Sequence, residues 1–414
     1  MSTEWKFPSP ADSLGPPDPP RVPSPRPPVR TARFTPRRIQ IRMARAFWAL
    51  AIPIVILAPL LLSPAAGGGG DLVVELALAT GLLAASLLVI VVVSASRMRS
   101  ITIAFGIERV LLSHRYLGLL AMIIVLVHTG LILLDNPHNY YLLLFVHAPP
   151  RARAATGSTI AIVLLCLASE FKRKLHLPYE VWRWTHIILA TIVVVLGALH
   201  VYWLNHLIRD PVMRAVFIVM AVVMLAVVAK RWILRPLFSR HRNYRIEEVR
   251  IEGPAVYTLV LKPLYAWQRG MRFAPGQFAW IRLTDSSRSW EDHPFTIASG
   301  AHRPRQLEFT IRYAGDFTKR LGELKPGRTV QVDGPYGSFS VDYRPSRGLL
   351  LIAGGVGLTP MMSILRTLDH RGDQRPATLL VGARHVTDLL FRAEIEVLAQ
   401  RMPLRVLETL SDPP

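Results

Sequence analysis

Four histidines inside apolar segments are the residues best placed to do chemistry in this sequence. His114 and His128 lie in one apolar run, and His186 and His200 lie in another, residues 181–203. Both spacings are 14 residues (128 − 114 and 200 − 186). That is nearly four helical turns, so the two rings of each run share one helix face, about 21 Å apart.

Paired imidazoles at two depths suit two b-type haems, each iron held by one nitrogen from each helix. Two axial imidazoles leave no open position on the iron, so such haems pass electrons and do not bind oxygen directly. A zinc site needs three or four ligands gathered within a few ångströms, which two separated pairs do not provide. The alternative is four neutral histidines bonded to neighbouring helices or water, because ionisable side chains inside a membrane need partners.

Composition supports a membrane protein of two or three domains, because 51% of the 414 residues are hydrophobic. The formal net charge is +21. Its basic residues cluster beside apolar runs, so the positive-inside bias explains them better than nucleic acid, and we predict no nucleic-acid partner. The single cysteine, Cys166, excludes internal disulfides, Cys-based zinc sites and Cys-ligated iron–sulfur clusters.

Residues 1–36 are rich in Pro, Ser and Arg, which predicts a disordered tail. Residues 37–240 are predicted to form a six-helix transmembrane haem domain. Its apolar runs fall at about residues 46–63, 72–95, 109–134, 156–170, 181–203 and 212–233.

Basic residues mark alternate ends of these runs, which places the N-terminus and the soluble part in the cytoplasm. The third and fifth runs then point the same way. His114 lies opposite His186 near the inner face, and His128 lies opposite His200 near the outer face. We predict a multi-pass protein of the cell inner (plasma) membrane.

The soluble part divides into two patterns. Residues 241–345 alternate short β-branched and aromatic runs with Gly and Pro turns, which predicts an antiparallel β-barrel. Residues 346–414 alternate buried strands with helices, which predicts an α/β nucleotide-binding domain with a parallel sheet. Only three strands are present up to Pro414 where five or six are usual, so we expect a partial, C-terminally truncated domain.

Two segments of the predicted barrel could hold a cofactor. The strand HPFTIAS offers an aromatic ring and hydroxyls beside a proline, which suits a flat ring system, although an ordinary β-strand has the same pattern. Its candidate cofactor-binding residues are His293, Pro294, Phe295, Thr296 and Ser299. Downstream, Arg312 and the helix start at 315–318, which includes Thr318, suit a pyrophosphate.

A glycine turn in the α/β segment suits a phosphate. Gly354, Gly355 and Gly357 follow a strand and open a helix, so the backbone and the helix N-terminus can approach an anion. Arg384 follows the second strand, where a 2′-phosphate would lie if the donor were NADPH. A solvated arginine explains Arg384 equally well.

Taken in order, the four histidines and the motifs HPFTIAS, GDFTKRL, VDGPYG and GGVGLTP resemble the NADPH oxidase and ferric reductase superfamily, bacterial type. That family joins a six-helix two-haem domain to ferredoxin-reductase-like FAD and NAD(P)H domains. The resemblance covers about residues 40–414. It implies that residues 293–296 meet the flavin and that Arg312 and Thr318 lie near its pyrophosphate. It also implies a nicotinamide dinucleotide site lined by Gly354, Gly355, Gly357, Thr359 and Pro360.

These observations predict a transmembrane oxidoreductase. Electrons would pass from NAD(P)H through FAD and two haem b groups to an external acceptor, either a ferric chelate or molecular oxygen. Expected partners are the lipid bilayer, the NAD(P)H donor and that acceptor, while catalytic residues and protein partners stay open. One alternative is a histidine-lined transporter or sensor with a regulatory nucleotide-binding module. A quinol-linked cytochrome is another, but it would not need the flavin motifs.

Overall fold

The computed structural model describes residues 38–63, 71–234, 242–253, 255–283, 291–343 and 346–412. The predicted disordered tail, residues 1–36, lies outside them. Six described helices are long and apolar enough to cross a membrane, which confirms the predicted number. They are α1 (Arg38–Leu61), α2 (Leu72–Ala95), α4 (Ile107–Asp135), α5 (Pro150–Glu170), α6 (Tyr179–Leu204) and α8 (Pro211–Ala229). Two short helices, α3 (Arg99–Phe105) and α7 (His206–Arg209), lie between them.

Helix α2 packs along α4, and α5 packs along α6. A buried apolar cluster that includes Leu87, Ala121, Ala161 and Val193 joins these four helices. Alanines at such contacts allow helix backbones to approach closely, which is how membrane helices gain packing contacts. The arrangement places the two histidine-bearing helices, α4 and α6, in the same bundle.

A six-stranded antiparallel sheet follows the membrane region. Its strands are β1 (Asn243–Gly253), β2 (Val256–Pro263), β3 (Phe278–Leu283), β4 (Asp292–Thr296), β5 (Leu307–Arg312) and β6 (Thr329–Tyr336), and α9 (Asp316–Gly322) lies between β5 and β6. The order across the sheet is β4-β3-β6-β1-β2-β5. Alternate side chains such as Tyr244, Leu259 and Phe309 are fully buried in one core, as the alternating pattern predicts.

The fold class is as predicted, but the sheet is open where a closed barrel was expected. No ladder joins β4 to β5 among the residues that the structure describes. Just after β4, the Ala298 amide donates to the Glu308 carbonyl of β5 at 2.7 Å. The Glu308 amide bonds instead to the Ser299 hydroxyl at 3.2 Å, so a side chain takes the place of the next ladder bond.

The last part is an α/β unit with a parallel sheet, as predicted. Its elements are β7 (Leu349–Gly354), α10 (Leu358–Arg371), β8 (Ala377–Ala383), α11 (Arg392–Arg401) and β9 (Leu404–Leu410), with strand order β7-β8-β9. Leu351, Leu365 and Leu379 are buried between the sheet and the helices. The first strand therefore ends directly at the glycine turn.

Candidate functional site

The structure brings the four intramembrane histidines together as two pairs. The ring centroids of His114 and His186 are 6.1 Å apart, and those of His128 and His200 are 6.5 Å apart. Each pair takes one ring from α4 and one from α6. The pairing by depth is the one that the equal spacing predicted.

Helix α2 orients both histidines of α4. The Nδ1 of His114 bonds to the Val91 carbonyl at 3.1 Å, and that of His128 bonds to the Ala77 carbonyl at 2.7 Å. A carbonyl only accepts, so each Nδ1 carries the hydrogen, and in a neutral ring Nε2 is then the nitrogen with a free lone pair. Fixing one ring nitrogen in this way is how proteins orient a metal-binding imidazole.

Helix α5 orients both histidines of α6 in the same way. The Nδ1 of His200 donates to the Arg151 carbonyl at 2.9 Å, and the Nδ1 of His186 bonds to the Ser169 hydroxyl at 3.1 Å. All four rings are therefore held at Nδ1 by the neighbouring helix. Their Nε2 atoms are the nitrogens available to a ligand between α4 and α6.

The ring separations fit a shared metal ion. A ring nitrogen lies about 1.1 Å from its centroid and a metal–imidazole bond is about 2.0 Å long, so two opposed imidazoles have centroids about 6.2 Å apart. Both observed distances lie close to that value. Two glycines of these helices, one on α2 and one on α4, are also consistent with a bound group. A Cβ on Gly81 would lie 2.9 Å from the His128 ring, whereas a Cβ on Gly118 would have no atom of the described residues within 4 Å apart from the nearby backbone of its own helix.

One buried carboxylate joins the soluble part to the membrane helices. Asp292, the first residue of β4, pairs with Arg97 at 3.0 Å. It also pairs with Arg282 at 3.8 Å and with Arg183 at 3.9 Å. Arg97 lies two residues after the end of α2 and has a left-handed backbone (φ 53°), and Arg183 lies one turn before His186. The strand that carries the predicted flavin residues is thus fixed to the two helices around the inner histidine pair.

Three further kinds of contact stabilise this junction. The Arg97 guanidinium lies 3.9 Å from the centroid of the Trp280 ring. Ile107, at the start of α4, is buried against Trp280 and Tyr336 of the sheet. Next to it, Glu108 accepts a bond from the Ser338 hydroxyl at 3.3 Å.

A series of aromatic rings crosses the same junction. The series starts at His186, and its distances are measured between ring centroids. They are 5.5 Å from His186 to Trp182, 5.8 Å from Trp182 to Tyr179, and 6.1 Å from Tyr179 to His293. His293 then lies 4.1 Å from Phe317. The sequence analysis did not predict a role for Tyr179, Trp182 or Asp292. Their only signal is position, since Trp182 is one turn before His186 and Asp292 directly precedes the HPFT segment.

The predicted flavin residues divide between the two faces of β4. His293 and Phe295 share one face and contact Phe317, while Pro294 and Thr296 point to the other. Burial lowers the pKa of His293, against the opposing effect of Glu291 and Asp292, so its ring is neutral at pH 7.

The remaining candidates of the open sheet have different surroundings. Ser299 is buried and its hydroxyl is already bonded to the Glu308 amide. Arg312 is exposed at the end of β5. Thr318 stabilises the turn before it, accepting from the Ala314 amide and donating to the Gly315 carbonyl, both at 2.8 Å. Of these three side chains, Arg312 is the one that is exposed.

The glycine turn is shaped as a phosphate-binding turn requires. Gly355 has a left-handed backbone (φ 51°), and among the described residues no atom beyond the adjacent backbone lies within 4 Å of a Cβ on Gly355 or Gly357. The hydroxyl of Thr359 donates to the Val356 carbonyl at 2.8 Å and so closes the turn.

The other predicted residues lie around this turn. Gly354 ends β7, and Pro360 is half-buried in the first turn of α10. Arg384 is exposed directly after β8. That position agrees with both interpretations of Arg384.

Three family models match consecutive parts of the chain. Residues 80–198 match the ferric reductase like transmembrane component, residues 243–340 match an FAD-binding domain, and residues 351–414 match the oxidoreductase NAD-binding domain. The chain has the domain architecture of the NADPH oxidase and ferric reductase superfamily. The matched domains are a transmembrane component, an FAD-binding domain and an NAD-binding domain, in the order that the motifs predicted.

Individual relatives resemble only part of the chain. Methane monooxygenase component C of Methylosinus trichosporium is 40% identical over 138 residues, 32% of this chain and 39% of that protein. Sulfhydrogenase 1 subunit gamma of Pyrococcus furiosus is 36% identical over 147 residues, 34% of this chain and 49% of that protein. The chain thus spans less than half the length of these two relatives. The structure of an Amycolatopsis cytochrome P450 reductase aligns with a TM-score of 0.37 at 25% identity, over 42% of this chain and 53% of that one.

Proposed function

We propose that this protein passes electrons from NAD(P)H at the cytoplasmic face to an acceptor at the outer face. The route runs through FAD and two b-type haems, one held by His114 and His186 and the other by His128 and His200. The acceptor is a ferric chelate or molecular oxygen. The membrane is the inner (plasma) membrane, with the soluble domains in the cytoplasm.

The observation that carries this proposal is the geometry of the two histidine pairs. Their centroid separations of 6.1 and 6.5 Å suit two imidazoles on one iron. A proton or zinc path would not require equal spacing on two helices with every Nδ1 held by a neighbour. Among the described residues, no group of three or more His, Cys, Asp or Glu side chains is arranged to hold a metal ion such as zinc.

The protein residues bind and orient, and the cofactors supply the redox chemistry. When bound, FAD accepts a hydride and the haems carry single electrons. The glycine turn at 354–357 and Arg384 would hold the dinucleotide, and the 293–296 segment with Arg312 would hold the flavin. The Asp292 ion pairs keep that segment beside the inner histidine pair. The apolar helices exclude water around both pairs.

The test is a reduced-minus-oxidised absorption spectrum of the purified protein and its His200→Ala variant, compared at equal protein concentration. The wild type should show a Soret band and sharp α and β bands. The variant should lose about half of the haem and all transmembrane turnover. His147→Ala is the control, because His147 is exposed in the outer loop and should leave the spectrum unchanged. Full haem retention in His200→Ala would show that the ligand assignment is wrong.

The acceptor needs its own experiment. NAD(P)H oxidation is measured with a ferric chelate under air, with and without superoxide dismutase, and again under anaerobic conditions. Iron reduction that ignores dismutase and persists without oxygen identifies the chelate as the acceptor. Iron reduction that dismutase abolishes shows that oxygen is the acceptor and that iron is reduced by superoxide.

A further inference from the structure

We propose that Trp182 and Tyr179 form the electron bridge between the flavin-binding strand and the inner histidine pair. This inference rests on the proposed function and adds a route to it. The flavin segment and the inner pair belong to different domains, so electrons must cross the junction between them. The rings of Tyr179 and Trp182 lie in that junction, with His293 on one side and His186 on the other.

The ring series leaves no wide gap. Its three steps are 5.5, 5.8 and 6.1 Å between centroids, and two further contacts place Phe317 beside His293 and Phe295. The rate of electron tunnelling falls exponentially with distance, and it falls less through packed atoms than through empty space. A continuous series of rings is therefore the favourable path across this junction.

A polar contact reinforces the last step. The Trp182 indole nitrogen donates to the Ser169 hydroxyl at 3.4 Å, and that hydroxyl bonds to the Nδ1 of His186 at 3.1 Å. Trp182 is thus linked to the inner histidine both by ring contact and through one bridging hydroxyl. The residue that orients the ligand also orients the bridge.

A cation lies over both bridging rings. The Lys172 ammonium is 4.1 Å from the centroid of the Trp182 ring and 5.0 Å from that of the Tyr179 ring. A positive charge there stabilises the neutral rings and opposes removal of an electron from them. Trp182 and Tyr179 accordingly serve as the medium between the two sites and are not themselves oxidised.

The step balances with the cofactors already proposed. Each crossing removes one electron from the reduced flavin and converts one ferric iron to ferrous iron. Two crossings and the loss of two protons from the flavin site return FAD to its oxidised form. The side chains of Tyr179 and Trp182 are unchanged, and no further oxidant or reductant is needed.

The first test is stopped-flow absorption of the holoprotein mixed with NADPH, in which flavin bleaching and haem reduction are followed separately. In Trp182→Leu the flavin should bleach at the wild-type rate, while haem reduction slows by on the order of tenfold, as when a preorganised contact is lost. Trp182→Phe keeps a ring and should restore most of the rate. Trp184→Leu is the matched control, because Trp184 lies two residues away and is 47% exposed.

The second test does not depend on turnover. The protein is labelled with 5-fluorotryptophan, and the ¹⁹F resonance missing from Trp182→Phe is assigned to Trp182. Reduction of the haem by dithionite should shift this resonance far more than that of Trp184, because the spin state of a nearby iron changes. Equal shifts of the two resonances would contradict the contact between Trp182 and the inner site.

The outcomes separate the bridge from the function. Wild-type protein without a Soret band would refute the proposed function itself. Normal haem and flavin content in Trp182→Leu, with haem reduction at the wild-type rate, would refute the bridge alone. Slow haem reduction in both Leu and Phe variants would also refute it, since the effect would then arise from disturbed packing.

Discussion

Asp292 and Arg97 form an ion pair, 3.0 Å between carboxylate oxygen and guanidinium nitrogen, that joins the first residue of a soluble strand to the end of a membrane helix. Both side chains are largely buried, with 8% and 13% of their surface exposed. The same helix, α2, orients His114 and His128. Asp292 therefore connects the flavin segment to the element that positions the histidine pairs.

Asp292→Asn should loosen this junction. The change leaves Arg97, Arg183 and Arg282 without their shared carboxylate, and breaking a buried pair of this kind costs about 3 kcal/mol. Hydrogen exchange of β4 amides, followed by mass spectrometry, should show a matching drop in opening free energy. Glu170→Gln is the control, because the Arg115–Glu170 pair is 58% and 42% exposed and its loss should cost less than about 1 kcal/mol. Equal protection of the β4 amides from hydrogen exchange in both variants would show that the Asp292 ion pairs do not hold this strand in place.

Gly81→Ala should disturb the outer histidine pair. The added Cβ would lie 2.9 Å from the Cε1 of His128, so the ring must move away from the position that faces His200. We expect loss of about half of the haem absorbance, as in a ligand variant. Gly130→Ala is the control on α4, since the part of the chain that the structure describes places no atom within 4 Å of its Cβ apart from the nearby helix backbone, and alanine there should slightly favour the helix. An unchanged spectrum in Gly81→Ala would mean that the bundle relaxes around the methyl group.

The sequence was sufficient to predict the paired histidines, because helical periodicity alone fixes which residues share a face. Predicting that His114 pairs with His186 required only this periodicity and a consistent membrane orientation. The turn at Gly355 was predictable for a similar reason, since strand, glycine and helix are adjacent in the chain.

The junction was not predictable in this way. Asp292 and Arg97 are 195 residues apart, and no periodicity relates a strand of one domain to a helix end of another. The same holds for Tyr179 and His293, which meet only because the sheet packs against the N-terminal end of α6. The open sheet was also missed, because a hydroxyl at Ser299 replaces a ladder bond that strand patterns predict.

Stability of the junction should fall as the pH is lowered through 6.5, the ordinary pKa of histidine. Burial lowers the pKa of His293 in the folded protein, so below pH 6.5 the unfolded chain binds the proton first and unfolding is favoured. The effect is absent above pH 6.5, where both states are neutral. Thermal unfolding from pH 7.5 to 5 should show a steeper decline for wild type than for His293→Gln. If the melting temperatures of the wild type and of His293→Gln fall in parallel with pH, His293 does not contribute to the pH dependence of stability.

Arg384 decides between NADPH and NADH if it contacts a 2′-phosphate. The side chain is exposed directly after β8, at the carboxyl edge of the parallel sheet, which is where such sheets bind nucleotides. A hydrogen bond between an arginine and a phosphate contributes about 1.5–3 kcal/mol, so Arg384→Ala should raise the KM for NADPH by at least about tenfold. The KM for NADH should not change, because NADH lacks the phosphate. Arg405→Ala, which removes an exposed arginine from the neighbouring strand β9, is the control for a general loss of positive charge. An unchanged KM for NADPH in Arg384→Ala would identify Arg384 as a solvated surface residue.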